Sequence, residues 1–546
     1  MAAPDLILTG APVYTMDRVR SWQEAIAITD GVISAVGFRD EVTSLAGPGT
    51  RILDVSGCLV LPGFQDAHSH PPEGGIAKLQ CDLHDLSERG EYLEAVRSYA
   101  EQHPDEEWLR GDGWAMPAFP GGTPHRSDLD AIVSDRPVVL VNRDGHGSWV
   151  NSRALELAGI TEATPDPVDG RIERDADGPT GALHEGAMNL VDRAMPALSQ
   201  KEWEEGLRVA QRELHSLGIT AWQDARVEPV SLAAYRALLD SGELSARVVL
   251  SLLWDHRDDE KQIEGLLERR DFGTQGTMSA NTVKIFQDGV AENFTAAMTE
   301  PYLDAGGAST GKSGLSMVPA EDLKRFVTAL DAEGFQVHFH AIGDRAVREA
   351  LDAVEAAWRG NGRRDARHHI AHIQVIHPDD IARFRQLGVV ANAQPFWAFE
   401  DAQMRDLTIP FLGEPRVHWQ YPFASLRKSG ATMAFGSDWP VSTPDPLLEM
   451  DVAINRTGPD EPSAPPFLPE QALDLPTCIA AFTIGAAYVN RLDALTGSIE
   501  VGKRGDICVL DRNLFDLQPG ERLGEANVLL TLIDAKPVFA DPGLSW

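Results

Sequence analysis

Between about residues 218 and 440 the chain alternates helical stretches such as "AEDLKRFVTALDAEG" with short apolar strands such as "FQVHFHAI" and "ATMAFGSD", and this alternation narrows the fold most. It is the signature of βα units and a parallel sheet, including the closed barrel form. Strands are expected near 137–142, 218–223, 246–253, 281–286, 335–340, 369–373, 388–393 and 431–436, some of them in an insertion. The two ends read differently. "DLILTGAPVYTMD", "EAIAITDGVISAVG" and "RILDVSGCLVLPGF" near the start, and "GSIEVGKRGDICVLDRN" and "ANVLLTLIDAKPVFA" near the finish, are strands broken by glycine turns, which suggests one β domain built from both termini. The segment from about 75 to 215 does not fit simple βα repeats, and "RGDGWAMPAFPGGTPHRSD" within it reads as an ordered loop near a site.

The chain has 546 residues, beyond the roughly 250–300 that one core can span, so at least two domains are expected. Hydrophobic residues at 43% and charged residues at 24% are ordinary globular values, which excludes a disordered chain. A formal charge of −35 repels phosphate backbones and anionic membrane surfaces, and no Lys/Arg cluster counters it, so nucleic acid and membrane are not expected partners. Cys58, Cys81, Cys478 and Cys508 are scattered without Cys-x-x-Cys spacing, against both a disulfide scaffold and a thiolate zinc site. Reduced thiols, no leader-like start and no run of about 18 apolar residues lead to the expectation of a cytoplasmic protein.

In "LPGFQDAHSHPPEGG" two histidines, His68 and His70, sit one residue apart after an apolar run, so both imidazoles can face one point at a strand end. Further along, Lys284, His340, His372 and Asp438 also fall at or near the C-terminal ends of apolar runs, where parallel sheets and barrels place their ligand sites. Each has an ordinary alternative: a carbonyl-bonded histidine, a snorkelling lysine, a capping aspartate. Together they point to a metal centre.

This ordered set resembles the amidohydrolase superfamily, in the YtcJ-like branch that includes N-substituted formamide deformylases. The resemblance runs through "LPGFQDAHSH", "RDGHGSWVNSRAL", "VKIFQDGVAENFTAAMTEPY", "HFHAIGDRAV", "IAHIQVIHPDDIARF", "FGSDWPV" and "GSIEVGKRGDICVLD", in family order. It implies an α/β fold: a distorted (β/α)8 TIM-like barrel over residues 61–489, with an insertion at about 75–215, and a small β-sandwich domain from 1–60 and 490–546. It makes His68, His70 and Asp438 ligands of one metal, His340 and His372 ligands of a second, and Lys284 a carbamylated bridge between them. Physics supports a modified lysine, since an ammonium beside two dications would be repelled whereas a carbamate is an anionic ligand. Imidazole and oxygen donors without thiolate suit two zinc ions, with Mn, Co, Ni or Fe as alternatives.

The resemblance further implies a hydrolase cleaving a non-peptide carbon–nitrogen bond, with Asp438 as general base and then general acid. An N-formyl or N-acyl amine is the expected small-molecule substrate, and a cyclic amide, carbamate or ester the alternative. A non-catalytic protein is disfavoured because the ligand set is complete, and a nucleotide enzyme because no glycine-rich phosphate turn follows an early strand. His146, as a neutral imidazole, and Asp144 are expected near the substrate carbonyl, with a simple Asp/Gly turn as the alternative. Trp114 and Trp439 are expected as pocket wall, with an ordinary place in the core as the alternative, and Asp288, Glu292 and Asp344 as carboxylates that orient the ligands, with loop capping as the alternative. His338, His368, His369 and His377 read as structural or surface residues, although His338 shares the face of His340. One departure stands out: "DGVAENFTAAM" follows the lysine strand where other branches continue with serine and glycine. A homodimer is the base-rate expectation.

Overall fold

The structure, a computed structural model, describes residues 3–518 and 520–544; residues 1–2 and 545–546 of the expected terminal domain, and residue 519, lie outside it. Eight parallel strands form the central sheet in strict chain order: β1 Phe64–Ser69, β2 Ile219–Val227, β3 Arg247–Leu253, β4 Met278–Phe286, β5 Gln336–Ala341, β6 His369–His372, β7 Val390–Ala393 and β8 Met433–Phe435. The strands are buried on both faces, as a parallel sheet jacketed by helices requires. The helix Asp344–Asn361 illustrates the jacket, burying Ala346, Val347, Ala350, Leu351, Val354 and Ala357 as one stripe at helical spacing.

Beyond the paired strands the barrel closes through the segment after β8. Asp438 N donates to His68 O at 2.7 Å and His70 N donates to Trp439 O at 2.7 Å. Gly436 permits this approach, because a Cβ there would lie 2.4 Å from the His68 nitrogen. The result is a TIM-like barrel whose first and last strands meet at the two residues of greatest chemical interest.

Strands from both termini pair in one branched eight-stranded sheet, with Ile507–Leu510 antiparallel to Leu59–Pro62. Its own core includes Ile26, Ile28, Val60, Val509 and Leu530. The expected sandwich domain is thus assembled across the whole chain. Between β1 and β2 lies a separate six-stranded sheet whose strands run from Cys81–Asp82 to Gly178–Glu185. It takes up the expected strand near 137–142, as Val138–Asn142. It also corrects one expectation: the segment read as a loop near a site begins with the strand Leu109–Trp114. All four cysteines are free and buried. No helix among the described residues is long and apolar enough to cross a membrane.

Candidate metal centre

Strand register brings the expected ligands to one end of the barrel. Lys284 is level with His338, Phe286 with His340, and Ala341 with His372. Asp438 sits at the centre: its Oδ1 is 3.0 Å from His68 Nε2 and 3.1 Å from His70 Nε2, and its Oδ2 is 3.9 Å from His372 Nδ1. His340 packs against His372 with ring centroids 4.4 Å apart. Lys284 is fully buried, with Nζ 3.5 Å from His68 Nε2. Two of these residues, His372 (φ 73°) and Asp438 (φ 57°), hold left-handed backbone that non-glycine residues rarely adopt, a sign that the surroundings impose their positions.

The imidazoles are aimed by their other nitrogens. His338 Nε2 lies 2.8 Å from His68 Nδ1, with Ser251 Oγ 3.1 Å from His338 Nδ1. His340 Nδ1 is 3.1 Å from Asp288 Oδ1, and that carboxylate also accepts from the Ile342, Gly343 and Ala297 amides. His372 stacks on Trp397, with rings 7° from parallel and centroids 5.1 Å apart, while its amide donates to Gln394 Oε1. Buried Asp66 ties the β1 end to the β8 end by accepting from the His68 amide and from the Ser437 amide and hydroxyl.

This donor set fits a divalent cation. Burial holds His68, His340 and His372 well below the ordinary histidine range, so they stand as neutral imidazoles. His372 Nδ1 is buried without a hydrogen-bond partner, a cost that a bound ion would remove. Burial also pulls the Lys284 amine down to about 7. Among the described residues two donor groups lie close enough to share an ion, one of His68, His372 and Asp438 and another of His70, Glu73 and Asp224.

Sequence reasoning missed two members of the second group. Asp224 lies toward the end of β2, but that strand was expected to stop at 223; Glu73 follows His70 by three residues on the first turn of the helix Pro71–Ala77. Burial raises both carboxyls, to about 7 for Asp224 and about 8 for Glu73. His338 was read as structural, yet it orients His68; its signal was the face it shares with His340.

The remaining expected residues divide. Asp288 orients His340, whereas Asp344 instead accepts from the Thr299 amide and hydroxyl, anchoring a loop. Glu292 accepts from Thr408 Oγ1 at 2.7 Å and is bonded to none of the expected ligands. Trp114 belongs to the insertion's own core, against Phe119 and Trp149, with Nε1 donating to Leu140 O; a buried indole needed that partner more than a pocket did. Trp439 follows Asp438 directly and lays its ring over Gly74, beside the His70 helix. Asp144 forms the turn of the ordinary alternative, accepting from the His146 amide at 2.9 Å.

His146 does reach the centre, its ring 5.4 Å from that of His340. It was expected as a neutral imidazole; in the structure burial works to lower it, while Glu185, with Asp144 and Asp438, pushes it up to about 9. Glu185 was not singled out from the sequence. Beside it opens a cavity of about 780 Å³ lined by Glu185, Thr295, Phe294, Leu303, Leu315 and Phe411, among others.

A TIM-like barrel with a histidine, lysine and aspartate cluster at the C-terminal ends of its strands defines a metal-dependent hydrolase. Residues 51–539 match the model of the Amidohydrolase family, Amidohydro_3, and the chain belongs to that family. It is 30% identical to Putative amidohydrolase YtcJ of Bacillus subtilis, over 97% of this chain and 98% of that protein. It is 29% identical to N-substituted formamide deformylase of Arthrobacter pascens, over 97% of each. An uncharacterized metal-dependent hydrolase from Pyrococcus horikoshii is similar in structure, with a TM-score of 0.74 and 26% identity over 95% of this chain and 99% of that one. The protein is a metal-dependent hydrolase of that family.

Proposed function

We propose that the chain hydrolyses an N-formyl or N-acyl amine, using two zinc ions at the barrel mouth. The observation that carries this reading is the convergence of His68, His70 and His372 on one buried aspartate, Asp438, beside the buried Lys284, whose Nζ is 3.5 Å from His68 Nε2. The likeness to the formamide deformylase supports the substrate class. His68, His70 and Asp438 would hold one ion and His340 and His372 the other. Lys284 would bridge them after its amine nitrogen adds to carbon dioxide and gives up a proton. The burial that lowers this amine to about 7 leaves part of it uncharged near neutral pH, which favours that addition. Bound there, divalent ions supply Lewis acidity toward water and the substrate carbonyl.

The protein's own groups then manage the protons. Asp438 accepts the proton released as water adds to the carbonyl carbon, and returns it to the nitrogen so that the amine departs neutral. His146 donates a hydrogen bond to the carbonyl oxygen as its charge develops. The four free, buried cysteines suit a reducing, cytoplasmic setting.

The test is amine release from N-butylformamide, formanilide, N-acetyl analogues and cyclic amides, using protein stripped of metal and reloaded with zinc and bicarbonate. The expected outcome is release from the formamides only after reloading. Cleavage of cyclic amides or esters with the formamides untouched would overturn the substrate class and leave the metal centre standing.

A further inference from the structure

Two buried side chains of the insertion pair with each other where the loop after β4 packs on them. Glu185 ends the insertion strand Gly178–Glu185 in left-handed backbone, φ 52°. Its Oε2 lies 2.9 Å from His146 Nδ1, and its Oε1 accepts from Thr295 Oγ1 at 2.8 Å. The main chain repeats the contact, since His146 O accepts from the Glu185 amide at 3.1 Å and from Asn293 Nδ2 at 3.3 Å. The loop after β4 is shaped to this carboxylate: a Cβ on Gly289 would lie 2.2 Å from both Glu185 Oε1 and Thr295 Oγ1. The unusual stretch "DGVAENFT" therefore supplies both the gap that admits Glu185 and the hydroxyl that holds it.

A pair that only braced the insertion would have no reason to leave its second ring nitrogen without a partner. With Nδ1 engaged by Glu185, His146 Nε2 bonds no other group among the described residues, and the side chain keeps 14% of its surface exposed beside the His340 ring. We propose that Glu185 is a positioning residue of the reaction, holding His146 so that Nε2 meets the substrate's carbonyl oxygen as negative charge develops there. The insertion then contributes to the active site rather than merely covering it. This rests on the assignment of His146 to the carbonyl oxygen made above.

The test needs no knowledge of the natural amine. Methylphosphonate, a tetrahedral anion resembling the hydrolytic intermediate, is titrated by calorimetry into metal-loaded wild type, His146→Asn, Glu185→Gln and the double variant, with metal content and melting temperature as controls. Each single change is expected to weaken binding about tenfold or more at unchanged metal content. The double variant is expected to bind within about twofold of His146→Asn, because residues acting as one unit are not additive. Wild-type affinity in Glu185→Gln, or losses that multiply in the double variant, would overturn the proposal. Weak binding by the wild type itself, or undiminished binding by His146→Asn, would remove the carbonyl role of His146 and the proposal with it. Failure to cleave formamides would instead concern only the substrate class.

Discussion

Arg247, the first residue of β3, and Asp438, just beyond β8, are both buried charges at the ends of the same barrel, but their surroundings differ. Arg247 makes two bonds to Asp506, at 2.8 and 3.0 Å, and a third to Asp534 at 2.6 Å, tying the barrel's N-terminal end to the terminal sheet. At the opposite end Asp438 faces the imidazoles of His68 and His70, His372 Nδ1 has no hydrogen-bond partner, and Asp224 and Glu73 each keep a buried oxygen unbonded. One end has its charges paired and the other carries donors in excess. Barrels of this kind place stability at the N-terminal face and chemistry at the C-terminal face, and here the difference is visible in which polar atoms have partners.

The strongest way to break this contrast is Asp438→Asn, which preserves shape while removing the proton carrier. Turnover in the amide assay should fall about 10³-fold or more, with most metal and the melting temperature retained. A mild loss would mean that the excess donors at this end do not carry the chemistry.

The reciprocal change is Arg247→Met. It leaves Asp506 and Asp534 without their buried cation, so denaturant unfolding should show a loss of about 3–5 kcal/mol. Turnover per folded molecule and metal content should stay as in the wild type. Lost metal in this variant would show that the two ends are not independent. Smaller again is His338→Leu, which removes the group that fixes His68 Nδ1. Competition with a chelator should show metal affinity reduced about 10–100-fold with little change in unfolding.

How far the sequence revealed this site depended on whether one strand was enough to reveal a residue. His68, His70, Lys284, His340, His372 and Asp438 share a local sign, a polar side chain at the end of an apolar run, and the structure brings them to one rim. Asp224 obeys the same rule and was missed only because its strand runs to Val227 rather than ending at 223. Glu185 has no such sign. Its carboxylate matters because Gly289, about a hundred residues later, leaves room for it, and that approach exists only once the insertion has packed on the barrel. Trp114 shows the opposite error, a residue in a glycine- and proline-rich context whose indole is spent inside the insertion's core. The terminal sheet was legible because alternating apolar strands and glycine turns are local, whereas the Arg247 clamp, which joins β3 to residues past 500, was not.

The smallest predicted effect tests the paired end by pH. Burial works against the charge of Asp534, but the Arg504 and Arg247 guanidiniums outweigh it and hold its carboxyl below the ordinary aspartate range. A carboxyl lowered by folding adds stability that is fully present above its unfolded value, about 3.9, and that is lost as pH falls through the folded value. Wild type should therefore lose stability more steeply than Asp534→Asn below about pH 4, while the variant is modestly less stable at neutral pH. With the side chain 28% exposed, the difference should stay well below that of Arg247→Met. Parallel acid limbs for the two proteins would show that Asp534 is incidental and that Asp506 alone pairs the barrel's arginine.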